Sequence, residues 1–320
     1  MCRSERSRSA IAFVVGIAVA AMMPAKGAAQ HASPSSAKIE EQATTAYESK
    51  QYQRCAELWM RSAAGRPHGT SSDAHYNAAC CHALNGQVDL AFASLEHALG
   101  AGFRDQAHLM GDSDLASLRG DPRWRQFTAS LDERIAAWEK TLGDPVLRRE
   151  ILAMVREDQR LRFAAIQNKF QEKELAAQIE AVDRRNTQRM KAIVDARGWP
   201  GRSLVGKDGA HAAWLLVQHA DLDLPFQKRC LAAMEPQIHR GEVEPMNYAY
   251  LVDRIAVAEK RKQVYGTQFG ENRQPRPIED EAHVDERRKA VGLETLTEYK
   301  AQMLRLYGPP PSQESGSRQE

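Results

Sequence analysis

The chain has 320 residues, 27% of them charged, with 44 basic and 42 acidic side chains giving a formal net charge of +2. So even a balance excludes the basic excess that a nucleic-acid-binding domain carries on its contact face. The length suits two domains better than one.

Residues 1–29 open with Arg3, Arg6 and Arg8, run through an apolar stretch over 10–23 and leave by Gly27, Ala28 and Ala29. A basic start, a short apolar centre and a small-residue exit make a cleavable secretory signal peptide, with Gln30 as the mature start. The stretch falls short of the roughly 20 apolar residues that cross a bilayer as a helix, so no permanent membrane span is expected. Cys2 precedes the stretch and does not mark a lipoprotein. A periplasmic or secreted protein follows.

Cys55, Cys80, Cys81 and Cys230 lie in the mature chain. An oxidising compartment permits one bridge, of Cys55 with Cys80 or Cys81. The weightier reading takes all four as free thiols acting as compact hydrophobes at small or apolar helical positions. No C-x-x-C or His/Cys spacing points to zinc, and neither metal nor cofactor is expected.

Residues 30–37 form a polar, flexible leader, and structure is expected from 38 onward. Over 38–142 the chain repeats itself: Lys50, Tyr52, Cys55, Trp59 and Ala63 recur as Gly86, Val88, Ala91, Leu95 and Leu99. The period of about 36 is close to the tetratricopeptide period of about 34. The run NAACCHALNGQVDLAFASLEHALGAGF, over 77–103, resembles a tetratricopeptide repeat, and DSDLASLRGDPRW, over 112–124, extends the likeness. The resemblance covers 43–127, and it implies a cap or platform for a protein or peptide partner, since fewer than three units make no long groove.

A short amphipathic segment over 132–142 ends at Gly143, Asp144 and Pro145, which set the domain boundary. Residues 146–194 then read as one long helix or two in succession, with Leu147, Ile151, Met154, Leu161, Ile166, Leu175, Ile179, Val182 and Ile193 as the apolar stripe. Their many charges read as a solvated face rather than a binding strip. Gly198, Trp199, Pro200 and Gly201 end this region, and a loop runs to Gly206. Helices are predicted over 207–220, 224–239, 245–259, 285–291 and 296–306, with Asp223 capping the second and Gly241 closing it. Residues 264–269 read as a short extended piece that Arg276, Pro277 and Ile278 could pair with, a short β-hairpin. The tail over 307–320 has the composition of a disordered segment.

The densest chemistry lies between Trp199 and Phe269, in GWPGRSLVGKDG, AAWLLVQHADLD, AYLVDRI and QVYGTQF. Polar side chains there interrupt apolar helical runs, and buried polar groups cost free energy unless paired. His211, Trp214, Gln218 and Asp221 share one helical face, with His219 about 100° around from Gln218. His219 is either a core histidine satisfied by a carboxylate or carbonyl, or a general base oriented by Asp253. Arg254 is suited to an anionic group and Tyr265 to developing negative charge. The competing reading puts Asp253 and Arg254 in a buried ion-pair network with Arg287, Arg288 or Asp195. Gln218, Asp221, Gln263, Gln268 and Arg288 are the candidate ligand-binding residues. Gly266, flanked by Tyr265, Thr267 and Gln268, marks a loop that either lines a pocket or plugs the helices together. No G-x-S-x-G, H-E-x-x-H or phosphate loop is present. A metal would have to use His219 with Asp221 or Asp223.

The ordered set of QHAD, DR and YGTQ, over 147–299, resembles a bacterial family catalogued as domain of unknown function number 6624. The resemblance implies that Gln218, His219, Asp253, Arg254, Tyr265, Gly266, Thr267, Gln268 and Arg288 are family pattern residues, and it carries no activity. The chain thus reads as predominantly α: tetratricopeptide-like hairpins over 38–142, then a separate helical domain over 146–306. The leading functional reading is an exported cell-envelope interaction or ligand-binding protein; the rival is a hydrolase or lyase using His219, Asp253, Arg254 and Tyr265.

Overall fold

The computed structural model describes residues 34–65, 71–168, 173–270 and 272–308. The expected signal peptide, half of the expected leader and most of the expected tail lie outside them. The chain is predominantly helical and divides into two compact units at Thr141 and Leu142.

In the first unit, α1 (Pro34–Glu48), α2 (Tyr52–Ala64), α3 (Ser72–Leu84) and α4 (Val88–Gly100) pack as successive hairpins. The arrangement is consistent with a repeat module. Helix α1 begins within the stretch expected to be a flexible leader. Lys50 and Gly86, one period apart, both take positive φ, at 56° and 73°. Each ends a helix and turns the chain so that the next begins two residues later. Glycine adopts that conformation freely, whereas Lys50 must be held there by its surroundings. A short α5 (Gln106–Gly111), a 3-10 turn (Ser113–Leu118) and α6 (Pro122–Glu139) complete the unit. Asp121 caps α6 by accepting from the Arg123 N–H, and Pro122 enters the first turn, where a missing N–H costs nothing. Leu95, Leu99, Leu115, Leu118, Trp124 and Phe127 fill one core, and Tyr76 stacks on Phe103 at 4.5 Å. Cys55 and Cys81 are joined in a disulfide that ties α2 to α3, which overturns the free-thiol reading for that pair. Cys80 and Cys230 are free and buried.

In the second unit, α7 (Pro145–Gln167) and α8 (Lys173–Arg197) lie against each other and against α9 (Arg202–Gln218), which also meets α10 (Leu224–Ile238) and α11 (Pro245–Ala258). Helix α9 is the centre. Its run from 212 to 217, Ala-Ala-Trp-Leu-Leu-Val, is buried throughout, as expected of a helix enclosed on all sides. It begins before Gly206, which was expected to end a loop. Gly206 has φ 75° and kinks the helix there. Asp144 and Asp223 cap α7 and α10, with Pro145 and Pro225 behind them. The short α12 (Val284–Ala290) and α13 (Leu296–Tyr307) follow, the latter opened by a Thr295–Glu298 capping box.

Between α11 and α12 the expected hairpin is reduced to isolated bridges, Gln263 with Ile278 and Phe269 with Pro275. Gly266 allows this loop to close: its φ is 72°, and a Cβ there would come within 2.8 Å of Ile278 Cδ1. The charges of 146–194 are not only a solvated face. Arg148, Asp158, Gln159, Arg162 and Asn186 are buried beside the apolar stripe, a correction that defines the site below.

Candidate functional site

His219 follows the last residue of α9, where the helix has ended and the chain turns towards Asp223. Its side chain is 1% exposed, and its Nδ1 lies 3.0 Å from Asp158 Oδ1 on α7. Asp158 also accepts from Gln159 Nε2 at 2.6 Å and from Arg162 Nε at 3.1 Å. Arg162 extends across to Asp183 on α8 through Nη2. Asp221, two residues past His219, holds Arg254 of α11 in a two-pronged ion pair, with Arg254 Nε at 2.6 Å from Oδ1, and accepts from Gln227 Nε2 at 3.2 Å. Planar guanidinium and carboxylate match in this geometry, which fixes orientation as well as charge.

Burial works to raise the Asp158 pKa, but His219, Arg162 and Gln159 outweigh it and hold the carboxyl well below its ordinary range. Burial and the Asp158 carboxylate push Asp183 up to about 7 against the pull of Arg162. Burial and Arg162 lower His219 to about 4, overcoming Asp158. For Asp221, Arg254 overcomes the effect of burial and lowers the carboxyl. His219 is therefore neutral at physiological pH. An ionised carboxylate only accepts, so Nδ1 carries the ring proton towards Asp158 and Nε2 presents its lone pair. That Nε2 is buried and has no hydrogen-bond partner among the described residues.

His219 lines a cleft of about 380 Å³ together with Asp183, Thr187, Lys191, Leu222 and Asp223. Lys191 and Asp223 form an ion pair at its edge. The ligand atoms of Asp158, Asp183 and His219 lie within 4.8 Å of one another, a grouping able to hold a metal ion. A second such grouping, Cys80, Asp112 and Asp114, occurs in the first unit. Its carboxylates are engaged by Tyr76 at 2.7 Å and Tyr47 at 2.8 Å, and burial raises the Cys80 thiol far above its ordinary range. The Cys80 thiol also donates to Asp112 at 3.5 Å, so the members of this grouping are joined in a hydrogen-bond network.

The residues singled out in the sequence fall into two groups. His219, Asp221 and Arg254 belong to the cluster, although Asp221 stands beyond the end of α9 and not on its face. Gln218 is buried beside them, its amide oriented so that the oxygen accepts from Leu251 N–H and Trp214 Nε1–H. Asp253, Tyr265, Gln263, Gln268 and Arg288 build the loop instead. Asp253 is not the partner of His219. It accepts from the backbone N–H groups of Val264 at 2.7 Å, Tyr265 at 3.0 Å and Thr267 at 2.9 Å, and from Thr267 Oγ1 at 2.9 Å. Gln263 donates to the carbonyls of Gln268 and Arg276 and accepts from the Gln268 N–H, and the Gln268 amide donates to Thr267 Oγ1 at 3.0 Å. Arg288 donates to the Tyr265 carbonyl at 2.7 Å and lies over the Tyr299 ring. Asp158, Gln159, Arg162 and Asp183 were not read from the sequence as site residues. Their signal was register: Asp158 and Arg162 follow Leu147 and Ile151 on the buried stripe of α7.

Among known proteins, a 64-residue segment is 39% identical to a chloroplastic protein of Arabidopsis thaliana, a match spanning 19% of this chain and 19% of that one. No solved structure matches. A model described as a family of unknown function, DUF6624, matches residues 145–309, over half of the chain and nearly all of the second unit. The protein that carries this buried Asp158–His219 cluster belongs to the DUF6624 family.

Proposed function

We propose that this is an exported cell-envelope protein that binds a small polar ligand in the cleft at His219. Its first unit, a tetratricopeptide-like platform, serves a protein or peptide partner. The observation that carries the ligand reading is the His219 Nε2 acceptor, buried, unpartnered and placed on a cleft of about 380 Å³. A buried acceptor left unmet costs about 1–3 kcal/mol, a cost that a bound donor would remove. The apolar run and small-residue exit of 1–29 support export. No helix among the described residues is long and apolar enough to cross a membrane.

The test is a thermal-shift screen of small polar compounds on the purified protein, repeated on His219→Ala, with fractionation of the producing cells to locate the mature chain. Stabilisation that the variant loses supports the reading. Hits that bind the variant equally well, or a chain retained in the cytoplasm, would sink its respective halves.

The Asp158–His219 couple favours a second reading, a hydrolase or lyase. In it Asp158 takes the orienting role first expected of Asp253, and His219 Nε2 is the general base. Arg254 is committed to Asp221 and Tyr265 to the loop, so Asp183 on the cleft wall is the better candidate for a proton donor. Mass spectrometry of each screening hit after incubation distinguishes this reading: turnover that His219→Ala abolishes establishes it, and unchanged compounds argue for binding alone.

A further inference from the structure

We infer that the cleft at His219 is a transition-metal site, with His219 Nε2 and the Asp183 carboxylate as its protein ligands and Asp158 as the carboxylate behind the imidazole. This rests on the reading of the cleft as a ligand site and names the ligand.

Two observations carry it. First, the ligand atoms of Asp158, Asp183 and His219 lie within 4.8 Å of one another, although they come from α7, α8 and the end of α9. Three elements packed on each other hold such a grouping without help from a mobile loop. Second, the imidazole is already disposed as a metal ligand. Metal-binding histidines characteristically donate the other ring N–H to a carboxylate, which fixes the tautomer and raises the basicity of the ligating nitrogen. Here Nδ1 meets Asp158 at 3.0 Å, and Nε2 is buried with no partner among the described residues, on a side chain that lines the same cleft as Asp183.

Asp158 is not among the residues that line the cleft and is engaged by His219, Gln159 and Arg162, so it supports the site without ligating. Arg162 engages Asp183 through a single oxygen, Oδ1. An imidazole nitrogen with one carboxylate suits zinc or a neighbouring transition metal and not calcium or magnesium, which take oxygen ligands. The remaining positions on the metal would go to water and to the polar ligand, so the ion would bring that ligand into the cleft.

The test is isothermal titration of the full chain, purified free of metal, with zinc chloride and in parallel with calcium chloride. Three variants are compared: Asp183→Asn, which keeps an oxygen for Arg162, His219→Gln, and Asp112→Asn at the grouping in the first unit. Wild type is expected to take up one zinc, each of the first two variants to bind about tenfold more weakly or worse, and Asp112→Asn to bind as wild type does. Should His219→Gln fail to melt cooperatively, Asp183→Asn decides. The inference fails if wild type takes up no zinc, if Asp183→Asn retains wild-type affinity, if Asp112→Asn is the variant that loses it, or if calcium binds as tightly. A null result with zinc beside a small-molecule hit that needs His219 would overturn the metal and leave the ligand reading standing.

Discussion

Two buried polar regions lie within the second unit, and they differ in whether a cleft reaches them. Around Asp253 the carboxylate spends both oxygens on Val264, Tyr265 and Thr267, and Gln263 and Arg288 hold the same loop through its carbonyls. Around His219 the ring is held by Asp158, its other nitrogen has no partner among the described residues, and the residue lines a cleft. Both contain ionisable residues almost fully enclosed, and both looked alike as polar interruptions of apolar runs. Burial and charge therefore do not separate architecture from function here, and neither does an unmet acceptor alone, since Gln268 Oε1 in the loop also lacks a partner; the cleft that His219 lines does.

The comparison breaks if the loop is not architectural. Asp253→Asn is expected to cost the most, about 4 kcal/mol, because an amide nitrogen must then face N–H donors that had a carboxylate oxygen. Urea unfolding of the variant beside wild type measures it, and a loss under about 1 kcal/mol would remove the loop's claim to be structural. A control from a third environment is His211, whose Nδ1 is 3.4 Å from the Asn247 amide and whose ring lies 5.0 Å from Trp214. Burial and nearby Lys207 lower its pKa to about 4 from 6.5. Between those values the unfolded chain binds a proton that the folded chain refuses, so stability falls as pH drops from 6.5 to 4. Discounted for partial exposure, this site contributes about 2 kcal/mol across the window. His211→Gln is expected to flatten that part of the pH–stability profile; an unchanged slope would place the titration elsewhere.

Much of this was legible in the sequence. Caps and breakers act over a few residues, so Gly143, Asp144 and Pro145 marked a break between helices and Asp223 with Pro225 marked a helix start. The period linking Lys50 to Gly86 marked two hairpins of the same design. His219, Asp221 and Arg254 stood out because each sits among small or apolar neighbours. Asp158 and Arg162 did not: a carboxylate and a guanidinium four apart on a helix are commonly a surface pair. Only their register with Ile151 and Ala165 distinguishes them, and in so charged a segment that register is easily lost. Which carboxylate met His219 depended on how α7 packs on α9, a long-range fact that spacing does not contain. The choice of Cys81 over Cys80 was hidden for the same reason, since adjacent cysteines differ only in which way they face.

Two smaller effects sharpen the contrast. Gly266→Ala tests whether the loop's closure is as tight as its hydrogen bonds suggest. With φ at 72° and Ile278 Cδ1 and Leu296 Cδ1 at 2.8 and 3.0 Å from an added Cβ, the substitution is strained in backbone and in space. About 1–2 kcal/mol is expected from the backbone alone, read as a lower unfolding midpoint with an unchanged slope. A neutral result would mean that Ile278 and Leu296 move aside and that the loop is looser than a plug.

His219→Gln should show the smallest change in stability, and its smallness is the point. The ring makes a single side-chain hydrogen bond, donating to Asp158, which the replacement amide can restore by donating in its turn. The replacement brings an acceptor of its own, Oε1, in place of the unpartnered Nε2, so the unmet group is exchanged rather than added, and the remaining cost is the packing lost when a flat ring gives way to a flexible chain. The net change is expected to stay within about 1 kcal/mol. Against that small cost, binding at the cleft should be lost, and the ratio of the two effects is what distinguishes a residue kept for a ligand from one kept for the fold. If His219→Gln instead destabilised the unit as much as Asp253→Asn, the two regions would be architectural alike, and the unmet nitrogen would be a cost of packing rather than a mark of function.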